Sequence, residues 1–262
     1  MIDMPDSIKN KLEKLTYEID SVGMSGSGIL LFDDKVLKVQ EVSEEATNEV
    51  QAMKWLSGRL SVPKVIAHEY RDGKSYLLMT RVSGRMACDE CYMRNPEKLT
   101  ELLAQALQEL WRVDVSTCPL DWRLDRKLEA ARFYVDNNLV DTDNVEPQTF
   151  GPDGFKDPGD LLQWLIEHRP AEELVLSHGD FCLPNIFIED DGKIDFIDLG
   201  RTGTADKWQD IALCYRSLKH NFEGKYGGKE YPDFDPNMLF EKLGLEPDWE
   251  KIRYYILLDE LF

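Results

Sequence analysis

Residues 174–200 constrain this chain more than any other stretch. Leu174-Val175-Leu176-Ser177 reads as a strand that runs into a loop. The loop holds His178-Gly179-Asp180, four further residues and then Asn185. Residues 186–188, a turn at 190–193 and residues 194–197 read as a hairpin that ends on Asp198-Leu199-Gly200. The hairpin is expected to return its second acidic group to the loop carrying the first. A single Asp in such a place caps a turn or closes a strand. Four polar positions in register, in a strand–loop–strand setting, argue for chemistry instead.

The rest of the chain reads as an α+β protein in two lobes, divided as 1–81 and 82–262. Residues 29–32, a turn at Asp33-Asp34 and residues 35–39 form a hairpin. Residues 43–60 carry Val50, Met53, Leu56 and Leu60 near helical spacing. Residues 63–68 and 75–80 are two more strands, turned at Asp72-Gly73. The second lobe is mainly helical. Asn95-Pro96 is a start signal before a stripe of Leu99, Leu102, Leu103, Ala106, Leu107 and Leu110. Further helices are expected over 124–138, 160–168, 206–218 and 248–261, and an acidic loop over 141–157.

Charge narrows the partners. The 262 residues include 50 acidic and 31 basic side chains, a net −19, which repels phosphate backbones and attracts polycations. The plainer reading of that charge is solubility. No apolar run has membrane-spanning length, and residues 1–15 are charged and amphipathic, without a signal-peptide core. The expectation is a cytoplasmic protein with no nucleic-acid, membrane or obligate protein partner. Of the five cysteines only Cys88 and Cys91 are close, with no second pair to complete a zinc site.

The loop and hairpin resemble kinase machinery. Kinase catalytic loops carry H-R-D-x-x-x-x-N, followed by a D-F-G whose Asp binds metal. Here Gly179 replaces the Arg and Leu199 the Phe. Asp180 is suited to orient and deprotonate an attacking hydroxyl. Asn185 and Asp198 offer hard oxygen ligands for Mg²⁺, and Pro184 stiffens the loop. Lys38, in Val36-Leu37-Lys38-Val39, resembles the strand lysine that holds nucleotide phosphates. A lone strand lysine is usually solvated; this one follows a loop of small residues, 23–28. Backbone N–H groups there, Ser25 included, can approach phosphates closely. Glu49 is the candidate ion-pair partner of Lys38, in competition with Glu41, Glu44 and Glu45. Residues 79–82 are either a simple crossover or a segment whose backbone at Thr80 and Val82 meets an adenine edge.

Three stretches together resemble the aminoglycoside 3'-phosphotransferase family. They are LSHGDFCLPNIF (176–187), FIDLGRTGTADKWQDIA (196–212) and YYILLDELF (254–262). The resemblance implies a protein-kinase-like fold with an antiparallel N-lobe sheet and a helical C-lobe. It implies phosphorylation of the 3'-hydroxyl of kanamycin- and neomycin-type antibiotics, conferring resistance, with Mg²⁺ and ATP (GTP as the alternative). By motif position, Lys38 and Glu49 match the nucleotide-orienting pair, Asp180 the catalytic Asp, and Asn185 and Asp198 the metal ligands. Arg201, Arg216, Asp259, Glu260 and the terminal carboxylate of Phe262 match the antibiotic-binding set. Chemistry agrees with the last assignment. A substrate with several ammonium groups needs clustered carboxylates, each charge-assisted contact contributing about 1.5–3 kcal/mol. Glu146 and Asp153 of the acidic loop are the further candidates. His178 is expected to be structural. The alternative is a kinase of another small hydroxyl substrate, such as choline or homoserine, which leaves the acidic tail unexplained. A protein kinase lacks its A-P-E segment here, and a hydrolase its nucleophile elbow.

Overall fold

The computed structural model describes residues 4–12, 16–19 and 28–262. The small-residue loop before position 28, with Ser25, lies outside the described residues. The chain forms two compact units. One is Met1–Ala87 with Pro184–Thr202; the other is Cys88–Leu183 with Gly203–Phe262. The contiguous division after residue 81 therefore misses a segment. The 184–202 hairpin joins the first unit because its backbone bonds there. Phe196 N–H donates to Ser61 O at 3.0 Å, and Ala87 N–H to Ile186 O at 2.8 Å.

The first unit is built on a five-stranded antiparallel sheet. Its strand order is Glu18–Ile19, Gly28–Leu31, Lys35–Glu41, Lys74–Thr80, Val65–Arg71. Two-residue turns set the register. Asp72 and Gly73 have φ of 52° and 76°, left-handed values that an Asp-Gly hairpin turn accommodates. Leu30, Phe32, Leu37, Tyr76 and Leu78 bury one face with Met4 and Ile8. The helix Glu44–Leu56 starts where Ser43 Oγ accepts from Ala46 N–H at 3.0 Å. It stops short of residue 60, at a turn through Gly58 with φ 81°. A smaller sheet pairs Arg85–Met86 with Ile186–Ile188 and Ile194–Phe196. Gly84 makes that pairing possible: its φ is 81°, and a Cβ there would lie 2.2 Å from Ile188 O.

The second unit is mainly helical. Pro96–Trp111 begins at the Asn95 cap and buries the predicted leucine stripe. Leu124–Asp136 and Pro158–Glu167 follow, the latter capped by Asp157. The long helix Lys207–Phe222 packs on Trp249–Asp259, and Met238–Leu243 on Pro96–Trp111. Leu174–Ser177 pairs antiparallel with Gly203–Asp206, a strand whose Gly-Thr-Ala-Asp sequence has no strand signal of its own. Asp206 ends that strand and caps the next helix, accepting from Trp208 N–H at 3.2 Å. Among the described residues no helix is long and apolar enough to cross a membrane.

Candidate active site

Lys38 is the middle residue of the central strand, and only 6% exposed. Its Nζ lies 2.9 Å from Glu49 Oε2 and 2.8 Å from Asp198 Oδ1. Glu49, 2% exposed, comes from the helix packed on the sheet. Asp198 follows the second strand of the hairpin with φ 56°, a left-handed conformation rare outside glycine. Burial opposes the Lys38 charge, but the two carboxylates outweigh it and raise the ammonium pKa above its ordinary value. Burial pushes the Glu49 carboxyl up, with Lys38 opposing. The competition among glutamates is settled here: Glu49 is the partner, and Glu45 binds Arg201 instead, Nε to Oε1 at 2.8 Å.

A cavity of about 310 Å³ opens beside this triad. Ile29, Leu31, Val36 and Ile197 give it apolar walls, and Thr80 and Val82 line it as well. Lys38, Glu49, Asn185 and Asp198 form its polar part. A flat aromatic base with a charged tail fits such a division. Among the described residues no group of three or more His, Cys, Asp or Glu is arranged to hold a metal ion. An Asn amide oxygen and one carboxylate nevertheless fit Mg²⁺, which keeps several waters and takes its other ligands from substrate phosphates.

The second unit carries Asp180, half-buried in the loop after Leu174–Ser177. That loop is held from below by Asp210 of the long helix, which is fully buried. Asp210 accepts from Ser177 Oγ at 3.0 Å, His178 N–H at 2.7 Å and Gly179 N–H at 3.0 Å. Neighbouring Gln209 donates Nε2 to Gly179 O at 2.8 Å. Burial raises the Asp210 pKa, with His178 and these hydrogen bonds opposing. His178 is itself buried, and its Nδ1 lies 3.3 Å from Asp180 N–H. The Cys182 thiol donates to Asp180 Oδ1 at 3.1 Å, and burial holds that thiol well above its usual pKa, hence protonated.

Cys182 also lines a second cavity, of about 210 Å³, with Asp141, Glu146, Asp259, Glu260 and Phe262. Arg216 braces the acidic tail, pairing with Asp259 and lying 3.5 Å from Glu260 Oε1. Asp259 and Glu260 outweigh its burial and keep the guanidinium charged. Burial pushes the Glu260 carboxyl up to about 7 against the pull of Arg216. Glu260 Oε2 also accepts from Glu146 N–H at 3.1 Å. The Glu146 carboxylate meets His220 Nε2 at 3.0 Å and Lys225 Nζ at 3.1 Å. The His220 hydrogen bond and Lys225 bring it down to about 2, against its burial. The Phe262 ring packs edge-on to Tyr134, centroids 5.4 Å apart.

Most residues expected from sequence thus fall into two groups. Lys38, Glu49, Thr80, Val82, Asn185 and Asp198 gather in the first unit. Asp180, Glu146, Arg216, Asp259, Glu260 and Phe262 lie in the second. Two of the expected residues stand apart from these groups. Asp153 is exposed at the tip of a turn that closes on itself, Gly151 N–H to Phe155 O at 3.1 Å and Phe155 N–H to Thr149 O at 2.8 Å, away from the residues lining the acidic cavity. Arg201 is in the first unit, tying Asp198's segment to the helix through Glu45. Asp210, Cys182, His220 and Lys225 were not singled out from sequence. Only Asp210 and Cys182 had a signal, since both lie inside the motif stretches.

A strand lysine paired to a helix glutamate, a hairpin aspartate and an H-G-D loop together define a kinase-type phosphotransferase. Residues 22–255 match the phosphotransferase enzyme family, and the chain belongs to that family. It is similar to an aminoglycoside 3'-phosphotransferase of Enterococcus faecalis, 40% identical over 268 residues that span 97% of each chain. It is also similar to a crystal structure of an aminoglycoside-3'-phosphotransferase of type VIII, with TM-score 0.80, 26% identity and 98% of each chain covered. The fold is shared with an aminoglycoside phosphotransferase of Streptomyces rimosus solved with ADP and streptomycin, with TM-score 0.75 and 23% identity. That match covers 94% of this chain and 92% of the other.

Proposed function

We propose that this chain is an aminoglycoside 3'-phosphotransferase, moving the γ-phosphoryl group of ATP to the 3'-hydroxyl of kanamycin- and neomycin-type antibiotics. The observation that carries the reading is Cys182. This one side chain bonds to Asp180 and also lines the carboxylate-rich cavity. A hydroxyl-activating group and a receptor for several ammonium groups therefore share a wall. Choline and homoserine each bring a single cationic nitrogen, and neither needs Asp141, Glu146, Asp259 and Glu260 together. The chain's 40% identity to a named 3'-phosphotransferase supports the same substrate class.

In this reading the first unit binds nucleotide. The base lies against Ile29, Val36 and Ile197, with backbone at Thr80 and Val82 along its edge. Lys38, aligned by Glu49, holds the phosphates, and Asn185 and Asp198 would hold Mg²⁺. When bound, the ion neutralises charge on the phosphate oxygens. Asp180 accepts a hydrogen bond from the 3'-hydroxyl and takes its proton. The hydroxyl oxygen forms a bond to the γ-phosphorus, the bridging P–O bond to the β-phosphate breaks, and ADP leaves. Most of the acceleration comes from alignment and charge stabilisation. Asp259, Glu260 and Glu146 bind the antibiotic's ammonium groups. Because ATP is the donor, the place of action is the cytoplasm.

The test is ADP release with Mg²⁺ and ATP against kanamycin, neomycin, the 3'-deoxy compound tobramycin, choline and homoserine, with GTP as a second donor. Turnover of kanamycin and neomycin, but not tobramycin, is expected. Turnover of choline or homoserine alone would keep the catalytic residues and discard the antibiotic.

A further inference from the structure

Lys225 places a second cation, beside Arg216, in a cavity that Asp141, Glu146, Asp259 and Glu260 line with carboxylates. Its Nζ is 3.1 Å from Glu146 Oε1 and 3.4 Å from both ring nitrogens of His220. The position is built by the end of the long helix. Gly224, with φ 70°, turns the chain, its N–H donating to Asn221 O at 3.2 Å. Lys225 N–H then reaches back to His220 O at 3.0 Å, completing a glycine-terminated helix stop. The backbone is pinned while the side chain stays 39% exposed. A pinned backbone with a flexible four-carbon stem gives a charge that leaves and returns without refolding.

We infer that Lys225 is a specificity-determining residue whose ammonium occupies the Glu146 subsite in the free protein and is displaced by an ammonium group of the substrate. The inference rests on the antibiotic reading of this cavity. Three features support it. Glu146 is tied by its own N–H to Glu260, so a group seated on Glu146 lies within the acidic cluster. His220 is 5% exposed and fixes the carboxylate from behind, Nδ1 in turn lying 3.2 Å from Tyr226 OH. An exposed lysine pair is weak enough for a multiply charged ligand to replace. A resident cation also selects. A polyamine bound through the other carboxylates presents a second ammonium at high local concentration and displaces Lys225, whereas a monocation competes with it on poor terms.

The experiment compares Lys225→Met, which keeps the stem and removes the charge, with Lys225→Arg, which keeps the charge. Glu146→Gln and the Lys225→Met/Glu146→Gln double variant complete the set. KM for kanamycin and for ATP is read by turnover, and kanamycin affinity by calorimetry on the nucleotide-free protein. At low salt Lys225→Met is expected to bind kanamycin about two- to fivefold more tightly, the range in which an exposed ion pair shifts an equilibrium. ATP KM stays fixed, Lys225→Arg stays near wild type, and the gain disappears in the Glu146→Gln background. A Lys225→Met protein that binds kanamycin no better than wild type overturns the inference and leaves the antibiotic reading intact. So does a gain that persists without the Glu146 charge. Absence of kanamycin binding and turnover in the wild type overturns the antibiotic reading, and this inference with it.

Discussion

Replacing Lys38 by Met separates what the triad does for folding from what it does for transfer. Lys38 and Glu49 are 6% and 2% exposed, so the substitution leaves a buried carboxylate without its cation. Breaking a buried pair by removing one partner costs about 3–5 kcal/mol. For a chain of this size that lowers the melting temperature by roughly 6–20 °C. Asp198 adds little, because its side chain is 41% exposed and water takes over its charge. The pH dependence has a definite sign. Burial raises the Glu49 pKa, so without Lys38 the carboxyl folds most easily when protonated. The protonated form is fully available below the unfolded value of about 4.3, and the penalty grows as pH rises above it. The deficit measured by calorimetry is therefore larger at about pH 8 than at about pH 5. The Lys38→Met/Glu49→Met double variant removes both charges and recovers most of the lost melting temperature, since an apolar pair of similar volume replaces a buried ion pair at little cost. Neither variant recovers turnover: losing a preorganised charge on the phosphates lowers kcat by about 10²–10³. A single variant that melts with the wild type at the higher pH refutes the reasoning. A double variant that melts below the single one does the same.

Asp210→Asn weakens the hydrogen bonds to Ser177, His178 and Gly179. kcat is expected to fall at least tenfold (about 1.4 kcal/mol in the barrier) while both substrate KM values hold, as steady-state kinetics will show. Glu260, pushed up to about 7, gains its charge as pH rises through neutrality, so kanamycin KM falls between about pH 6 and 8; Glu260→Gln flattens that profile. In folding, the same raised pKa stabilises below the unfolded value of about 4.3, and that stabilisation is lost as pH rises through about 7; melting curves of the Gln variant lack this step. Gly84→Ala puts a Cβ 2.2 Å from Ile188 O at a φ of 81°, and thermal melting is expected to drop sharply because both the clash and the backbone are strained.

Much of this was legible in the sequence, for identifiable reasons. Turn chemistry at Asp33-Asp34 and Asp72-Gly73 fixed the hairpins, and periodic leucines after Asn95-Pro96 fixed the first long helix of the second unit. Lys38, Asp180, Asn185 and Asp198 stood out because their types and spacing match those that kinase-type phosphoryl transfer calls for. Residues whose role comes from tertiary contact were harder to see. Choosing Glu49 over Glu45 needed the helix phase, which turns Glu49 inward to Lys38 and Glu45 toward Arg201. The strand Gly203–Asp206 is recruited by pairing with Leu174–Ser177 and not by its own propensity. His220 and Lys225 fall at the end of a helix, in a run of Gly and charged residues without a recognisable pattern, and gain meaning only when Glu146 arrives from the loop 141–157. Asp153, from that same loop, shows how little composition says about which way a loop residue points.

Asn48 lies one residue before Glu49, and its side-chain amide reaches the carbonyls of Gly200 and Thr202 at 2.7 and 3.1 Å. Gly200 lets the helix come that close, a Cβ there being 3.3 Å from Glu45 O. In signalling kinases the position of the corresponding helix is the control point. Here, moving it away would break the amide clamp, the Glu45–Arg201 bond and the Lys38 pair together. In this chain that helix is fastened at three points. The Lys38–Glu49 pair is therefore in place before any substrate arrives, and displacing the helix costs all three sets of contacts at once.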